Sequence, residues 1–191
     1  MVGIDASKSM IKIAKGKIKK KGLNARLYTS DVRNFSLDEK FDAAICMFAV
    51  IDYLTKNEDL QKAFKNLRKH LKPRGLLIFD FWYGPAVLTI KPSVRIKTVE
   101  KDGLKILRTV TPELDPLNHL SISNYHLIVI KENRIIDEIK ERHIIRYYFP
   151  QEIKHYLEEN GFRLLKISQF LKLDEQPTEN TWNAVAIAEA L

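Results

Sequence analysis

Apolar positions recur along the first 81 residues with two alternating periods. Val2 to Ile4 is a short apolar stretch that ends at Asp5. Ser7 then has the place of a helix cap, and Met10, Ile11, Ala14 and Ile18 follow at three- and four-residue spacing up to Gly22, the stop. Ala25 to Tyr28 reads as a second strand, closed by Ser30 and Asp31. Phe41 to Phe48 is almost continuously apolar, as expected of a parallel strand covered on both faces, and is the foremost core segment the pattern offers. Thr55 and Glu58 have capping-box spacing ahead of Leu60, Ala63, Phe64, Leu67 and Leu71, which form one helical face. Lys72 to Gly75 reads as a turn and Leu76 to Phe81 as another strand. Strand, helix, strand, loop, strand, helix, strand predicts a parallel sheet in an α/β sandwich.

The texture changes between about residues 94 and 149. Val94 to Val99, Lys105 to Val110, Ser121 to Ile130, Arg134 to Ile139 and His143 to Phe149 are rich in β-branched and aromatic residues. Turn signals at Lys101 to Gly103, Pro112 to Pro116 and Glu132-Asn133 separate them, which predicts an inserted antiparallel sheet or lid. Helical spacing returns after Pro150 with Ile153, Tyr156 and Leu157 and stops at Gly161. Strands over Arg163 to Leu171 and Trp182 to Ala188 complete the pattern. A single domain over 1–191 with an insertion at about 94–149 is the organisation expected of this length.

Composition narrows the class only a little. With 45% hydrophobic and 29% charged residues the chain can build a core, and no apolar run approaches the ~20 residues of a membrane-spanning helix. The start carries no secretory pattern, so cytoplasm is the expected location. One cysteine, Cys46, allows neither a disulfide framework nor a cysteine zinc site and reads as a small core residue. Of the net charge of +8, residues 1–40 hold +6, ten Lys/Arg against four Asp/Glu. No aromatic residue interleaves Lys15, Lys17, Lys19, Lys20 and Lys21, so a solvated helix face outranks a nucleic-acid site. His119, His126 and His143 lack metal-ligand spacing, and no metal site is expected.

The informative residues are two acids, Asp5 and Asp31, each directly after a strand. In open α/β sheets ligands bind beyond the carboxyl ends of the strands, where one acid can accept ribose hydroxyls and another an adenine amino group. The segments Val2 to Met10, Ser30 to Val32, Phe41 to Ile45, Leu71 to Gly75, and Phe149 to Glu152 running to Glu159-Asn160-Gly161-Phe162 together resemble the class I S-adenosylmethionine-dependent methyltransferases, over residues 1–90 and 145–191. The resemblance implies a Rossmann-like sandwich and a cofactor-binding set of Asp5, Ala6, Met10, Ser30, Asp31, Val32, Met47, Phe48 and Ala49. In it Asp5 serves the ribose, Asp31 and Val32 the adenine, and Met47 to Ala49 end the strand beside the transferred methyl. The inserted hairpins are similar to the substrate-covering elements of small-molecule members. Tyr53, Trp82 and Tyr83 follow strand ends on the expected ligand side, where they either line a small-molecule acceptor pocket or belong to the core. No catalytic residue is assigned; Tyr53, Tyr83 and Asp52 are the available bases.

One departure from the family matters. No two of the seven glycines are separated by a single residue, so residues 1–191 hold neither the family's glycine-rich loop nor its first strand and helix; either the natural start lies upstream or the chain is a truncated relative. The expectation is therefore methyl transfer to a small molecule, impaired in this form by weak S-adenosylmethionine binding. The rival is a non-catalytic remnant that binds a partner or itself; a nicotinamide dehydrogenase is a third reading, disfavoured by Asp31 and the Gly161-Phe162 segment. Because the family's first strand lies between those ending at Asp5 and Phe48, these two must pair directly or leave unpaired backbone, and a homodimer is expected.

Overall fold

The computed structural model describes all of residues 1–191 and divides the strands among three sheets. Strands β1 (Val2–Asp5) and β2 (Arg26–Thr29) form a parallel pair joined by helix α1 (Lys8–Lys20). Ser7 caps α1 as its sequence predicts, the hydroxyl accepting from the Met10 amide at 3.3 Å, and Gly22 ends it in the left-handed region at φ +62°.

The principal sheet has the order β3-β4-β10-β9. Strand β3 (Phe41–Cys46) runs parallel to β4 (Leu71–Trp82), while β10 (Asn183–Ala190) is antiparallel to both β4 and β9 (Phe162–Gln169). Helices α2 (Asn57–Lys69) and α4 (Pro150–Glu159) bring Leu60, Phe64, Ile153 and Leu157 against Phe79, Phe81 and the alanines of β10, so the core is centred on β4. The short helix α3 (Gly84–Ile90), started by Pro85, was not legible in the pattern.

Three sequence expectations are corrected. Strand β3 is not the best-covered strand. Its alternate residue Ile45 is 66% exposed, in register with half-buried Ile78 and Ile187 on the face opposite the core, because no helix lies over that row. The Thr55–Glu58 capping box does not form: Lys56 occupies the cap without a side-chain bond. Lys72 to Gly75 is not a turn before the strand but a bulge within β4, spanned as pairing jumps from Phe41–Leu71 to Ala43–Leu76. A β-carbon on Gly75 would lie 2.9 Å from the Lys72 carbonyl, which is why only glycine closes the bulge.

Strands β1 and β3 do not pair with each other, so each keeps one open edge. The pair β1–β2 is nevertheless joined to the main body: Ile4, Val32 and Phe35 pack on its core, and Asn66 of α2 donates to the Val32 and Phe35 carbonyls at 3.2 and 3.0 Å.

The insertion is one antiparallel sheet ordered β5 (Arg95–Lys101), β6 (Leu104–Asp115), β7 (Leu120–Lys131), β8 (Arg134–Arg146). Two predicted strands merge into β8, whose charged middle is tolerated because β8 is an edge. Pro112 lies inside β6, beyond the last β5 partner at Val110, where its missing N–H costs no ladder bond. The turn falls instead at Pro116 to His119.

Candidate functional site

The parallel register that pairs Asp5 with Thr29, closed by a 3.0 Å bond from the Ser30 amide to the Asp5 carbonyl, sets Asp5 and Asp31 side by side at the carboxyl ends of β1 and β2. The Asp5 side chain is exposed. Its Oδ1 accepts from the Ser7 amide at 2.7 Å, and Oδ2 has no protein partner. Asp31 is more committed. Arg33 grips it with Nε at 2.9 Å and a second guanidinium nitrogen at 2.7 Å, and this bond holds the Asp31 carboxyl below the usual carboxylate range against the opposing effect of burial. The same guanidinium reaches Asp59 in the first turn of α2 at 2.9 Å, which ties the segment after β2 to that helix. Val32 turns its side chain into the core and gives its carbonyl to Asn66. Ala6 is exposed beside Asp5, and Met10 lies on the exposed face of α1 at 53% exposure, with no contact that brings it to Asp31.

At the end of β3, Phe48 and Ala49 both adopt left-handed φ, +68° and +59°. Two successive non-glycine residues there store strain, and such strain clusters at functional sites. The turn is pinned by Asp80, at the end of β4, which accepts from the Ala49 amide at 3.0 Å. Cys46 just before it is half-buried, its thiol pushed up to about 11 by burial and by the Asp80 charge. Met47 is half-buried, whereas Phe48 is 81% exposed.

A 3-10 turn, Ile51–Tyr53, follows. Asp52 is fully buried; its Oδ2 accepts from the Trp82 amide at 2.9 Å and Oδ1 has no partner, so burial raises its pKa well above the ordinary value. Tyr53 turns outward and its hydroxyl meets His143 Nδ1 at 3.0 Å. Trp82 packs edge-on to Trp182 at 4.9 Å, and Tyr83 bridges to Tyr148 at the seam with β8. Thus Tyr53, Trp82 and Tyr83 gather near the ends of β3 and β4, with Tyr53 alone meeting the insertion through its hydroxyl. No three His, Cys, Asp or Glu side chains converge as a metal site.

Sequence reasoning did not single out Arg33, Asp80 or Glu141, and it weighed His143 only as a metal ligand, a role it set aside. Asp80 obeys the rule that singled out Asp5, an acid at the end of an apolar strand, and could have been found. His143 could not, because its partner is 90 residues away.

The fold is that of solved S-adenosylmethionine-dependent methyltransferases. Residues 1–75 match the family described as methyltransferase domain. Over its whole length the fold superposes with TM-score 0.85 on an S-adenosylmethionine-dependent methyltransferase from Clostridium acetobutylicum, at 21% identity, covering 99% of this chain and 74% of that one. An S-adenosylmethionine-bound amino pentose methyltransferase from Micromonospora echinaspora gives 0.75 at 17% identity, with 100% and 73% covered. Among sequences, the chain is 24% identical over 162 residues to the dTDP-3-amino-3,4,6-trideoxy-alpha-D-glucopyranose N,N-dimethyltransferase of Streptomyces venezuelae, covering 85% of this chain and 65% of that protein. It is 27% identical over 150 residues to the dTDP-3-amino-3,6-dideoxy-alpha-D-glucopyranose N,N-dimethyltransferase of Streptomyces fradiae, covering 78% and 56%. The chain thus spans between one half and two thirds of the length of these two relatives.

Proposed function

We propose that this chain transfers a methyl group from S-adenosylmethionine to an amine nitrogen of a small-molecule acceptor. The observation that carries the reading is the placement of Asp5 and Asp31 after the ends of two parallel strands, with Asp5 Oδ2 free of any protein hydrogen bond. That donor set fits the nucleoside half of the cofactor: Asp5 would accept the ribose hydroxyls, with Ala6 and Ser30 beside it. Asp31, held ionised by Arg33, retains a lone pair on Oδ2 for the adenine amino group next to Val32. Met47 to Ala49 would end the site at the reacting methyl, and Tyr53, Trp82 and Tyr83 would line the acceptor. Met10 is the weakest member of the set, since its side chain faces solvent.

When bound, the cofactor supplies an electrophilic methyl on sulfur. The chain's own residues bind and orient, and alignment of a nucleophile with such a methyl accounts for most of the rate. An amine is favoured over oxygen or carbon because the sequence relatives named above act on amino sugars. Affinity for the cofactor is weak in this form, because no glycine pair lets backbone approach its amino-acid half. The open edges of β1 and β3, with Ile45 and Phe48 exposed nearby, support a homodimer.

Mass spectrometry of a panel of amino sugars, incubated with the chain and millimolar S-adenosylmethionine, tests the reading. A mass gain of one methyl on an amine is expected. No methylated product from any amine would favour a non-catalytic binding module instead.

A further inference from the structure

The insertion meets the main sheet through a polar chain that ends on Tyr53. Glu141 and His143 are two residues apart on β8 and so share one face of the inserted sheet. The Tyr53 hydroxyl lies 3.0 Å from His143 Nδ1, and His143 Nε2 lies 3.2 Å from Glu141 Oε2. The rings of Tyr53 and Tyr125 both stand edge-on to the imidazole, with centroids at 6.1 and 5.1 Å.

The placement is rigid on both sides. Tyr148, just after β8, donates its hydroxyl to the Leu54 carbonyl at 2.9 Å. Buried Arg146 bonds Asn57 at 2.6 Å and pairs with Glu152. Asp52 is fixed on the Trp82 amide. The segment carrying Tyr53 is therefore clamped to the strand carrying His143, although the tyrosine itself is 54% exposed.

Resting on the methyl-transfer reading, we propose that His143, oriented by Glu141, is the positioning residue that makes Tyr53 the proton acceptor for the substrate amine. Glu141 can only accept, so it selects the tautomer in which Nε2 carries the proton and Nδ1 is left to accept from the Tyr53 hydroxyl. One lone pair of the phenolic oxygen then remains for a substrate N–H. An acceptor ammonium gives its proton to the Tyr53 oxygen as the phenolic proton passes to Nδ1. The freed nitrogen lone pair forms the N–C bond to the methyl of a sulfonium donor; the C–S bond breaks and its electron pair stays on sulfur. The imidazolium, held by Glu141, returns its proton to solvent, which His143 reaches.

The groups facing this chain are Glu141 on β8, Tyr125 on β7, Arg108 on β6 stacked 5.8 Å over Tyr125, and Asp52 beside Tyr53. Burial, with Tyr125, Asp52 and Glu141 adding to it, raises the Tyr53 pKa, so the tyrosine works as a neutral conduit and not as a phenolate.

Two measurements on the full chain test this. Nitrogen-resolved NMR of the imidazoles should show the neutral His143 ring protonated at Nε2, and Glu141→Ala should raise the share protonated at Nδ1; protonation at Nδ1 in the parent, or a tautomer ratio that ignores Glu141→Ala, overturns the proposal. In the methyl-transfer assay His143→Gln should lower kcat about a hundredfold with KM nearly unchanged and should move the acid limb of the pH profile upward to follow the amine's own ionisation. Tyr53→Phe should cost the same, and the double variant no more. Transfer by His143→Gln with the parent pH profile overturns the relay alone. No transfer by the parent chain overturns the methyl-transfer reading and the relay's role with it.

Discussion

At the scale of single residues, Asp5 and Asp31 look equivalent in sequence and differ in the folded chain. Asp5 spends one oxygen on its own helix and leaves the other free, whereas Asp31 is clasped by Arg33. Asp5→Ala should therefore weaken nucleoside binding by about 1.5–3 kcal/mol, ten- to a hundredfold, with little loss of stability; calorimetry with S-adenosylhomocysteine reads the first and urea melts the second. For pH dependence the informative acid is Asp52. Its folded pKa is raised by burial, so the folded chain binds a proton there that the unfolded chain releases above about pH 4. The stability linked to that proton is complete below the unfolded value and lost as pH rises through the folded one. Asp52→Asn keeps an acceptor for the Trp82 amide and removes the titration. Melting temperature between pH 5 and 8 should fall less steeply in the variant, and parallel slopes would show that Asp52 does not couple to folding.

At the scale of elements, the bulge in β4 is the sharpest test of local packing. Gly75→Ala must push a methyl against the carbonyls of Lys72, Asp42 and Phe41, at 2.9 to 3.2 Å, and overpacking of this kind costs about 1–3 kcal/mol. A denaturant midpoint unchanged by the substitution would contradict the geometry. Much at this scale was legible in sequence: the capped helix at Ser7, the apolar face of α2, the strand Leu76 to Phe81 and the α4 start at Pro150 all lie where the pattern puts them. Periodicity records which residues alternate, but not whether a covering element is present, which is why β3 read as buried on both faces. Likewise it could not separate a bulge from a turn at Lys72 to Gly75, since both call for proline and glycine. In the candidate site, the placement of Asp5 and Asp31 after strand ends was readable because a local rule gives it. His143 acquires its partner only through the tertiary fold, whereas Arg33 grips Asp31 two residues away and reaches Asp59 across the fold.

At the scale of the whole molecule, the main sheet and the β1–β2 pair are held together by core contacts and by Asn66, not by a continuous ladder. Helix α1 buries only Ile11, so the unit from Val2 to Thr29 has few apolar contacts to protect it. Its amides should exchange hydrogen faster than those of β4 and β10, by local opening. Self-association through the open edges should protect β1 and β3 as concentration rises; light scattering that stays at the monomer mass at tens of micromolar would exclude the dimer.

The central claim is that the carboxyl ends of β1, β2 and β3 form one nucleoside site. Amide NMR of the chain titrated with S-adenosylhomocysteine to millimolar concentration tests it most directly. Shifts concentrated at Gly3 to Ala6, Ser30 to Val32 and Met47 to Ala49, and lost in Asp5→Ala, are the expected result. Shifts confined to other elements, or none at saturation, would contradict it.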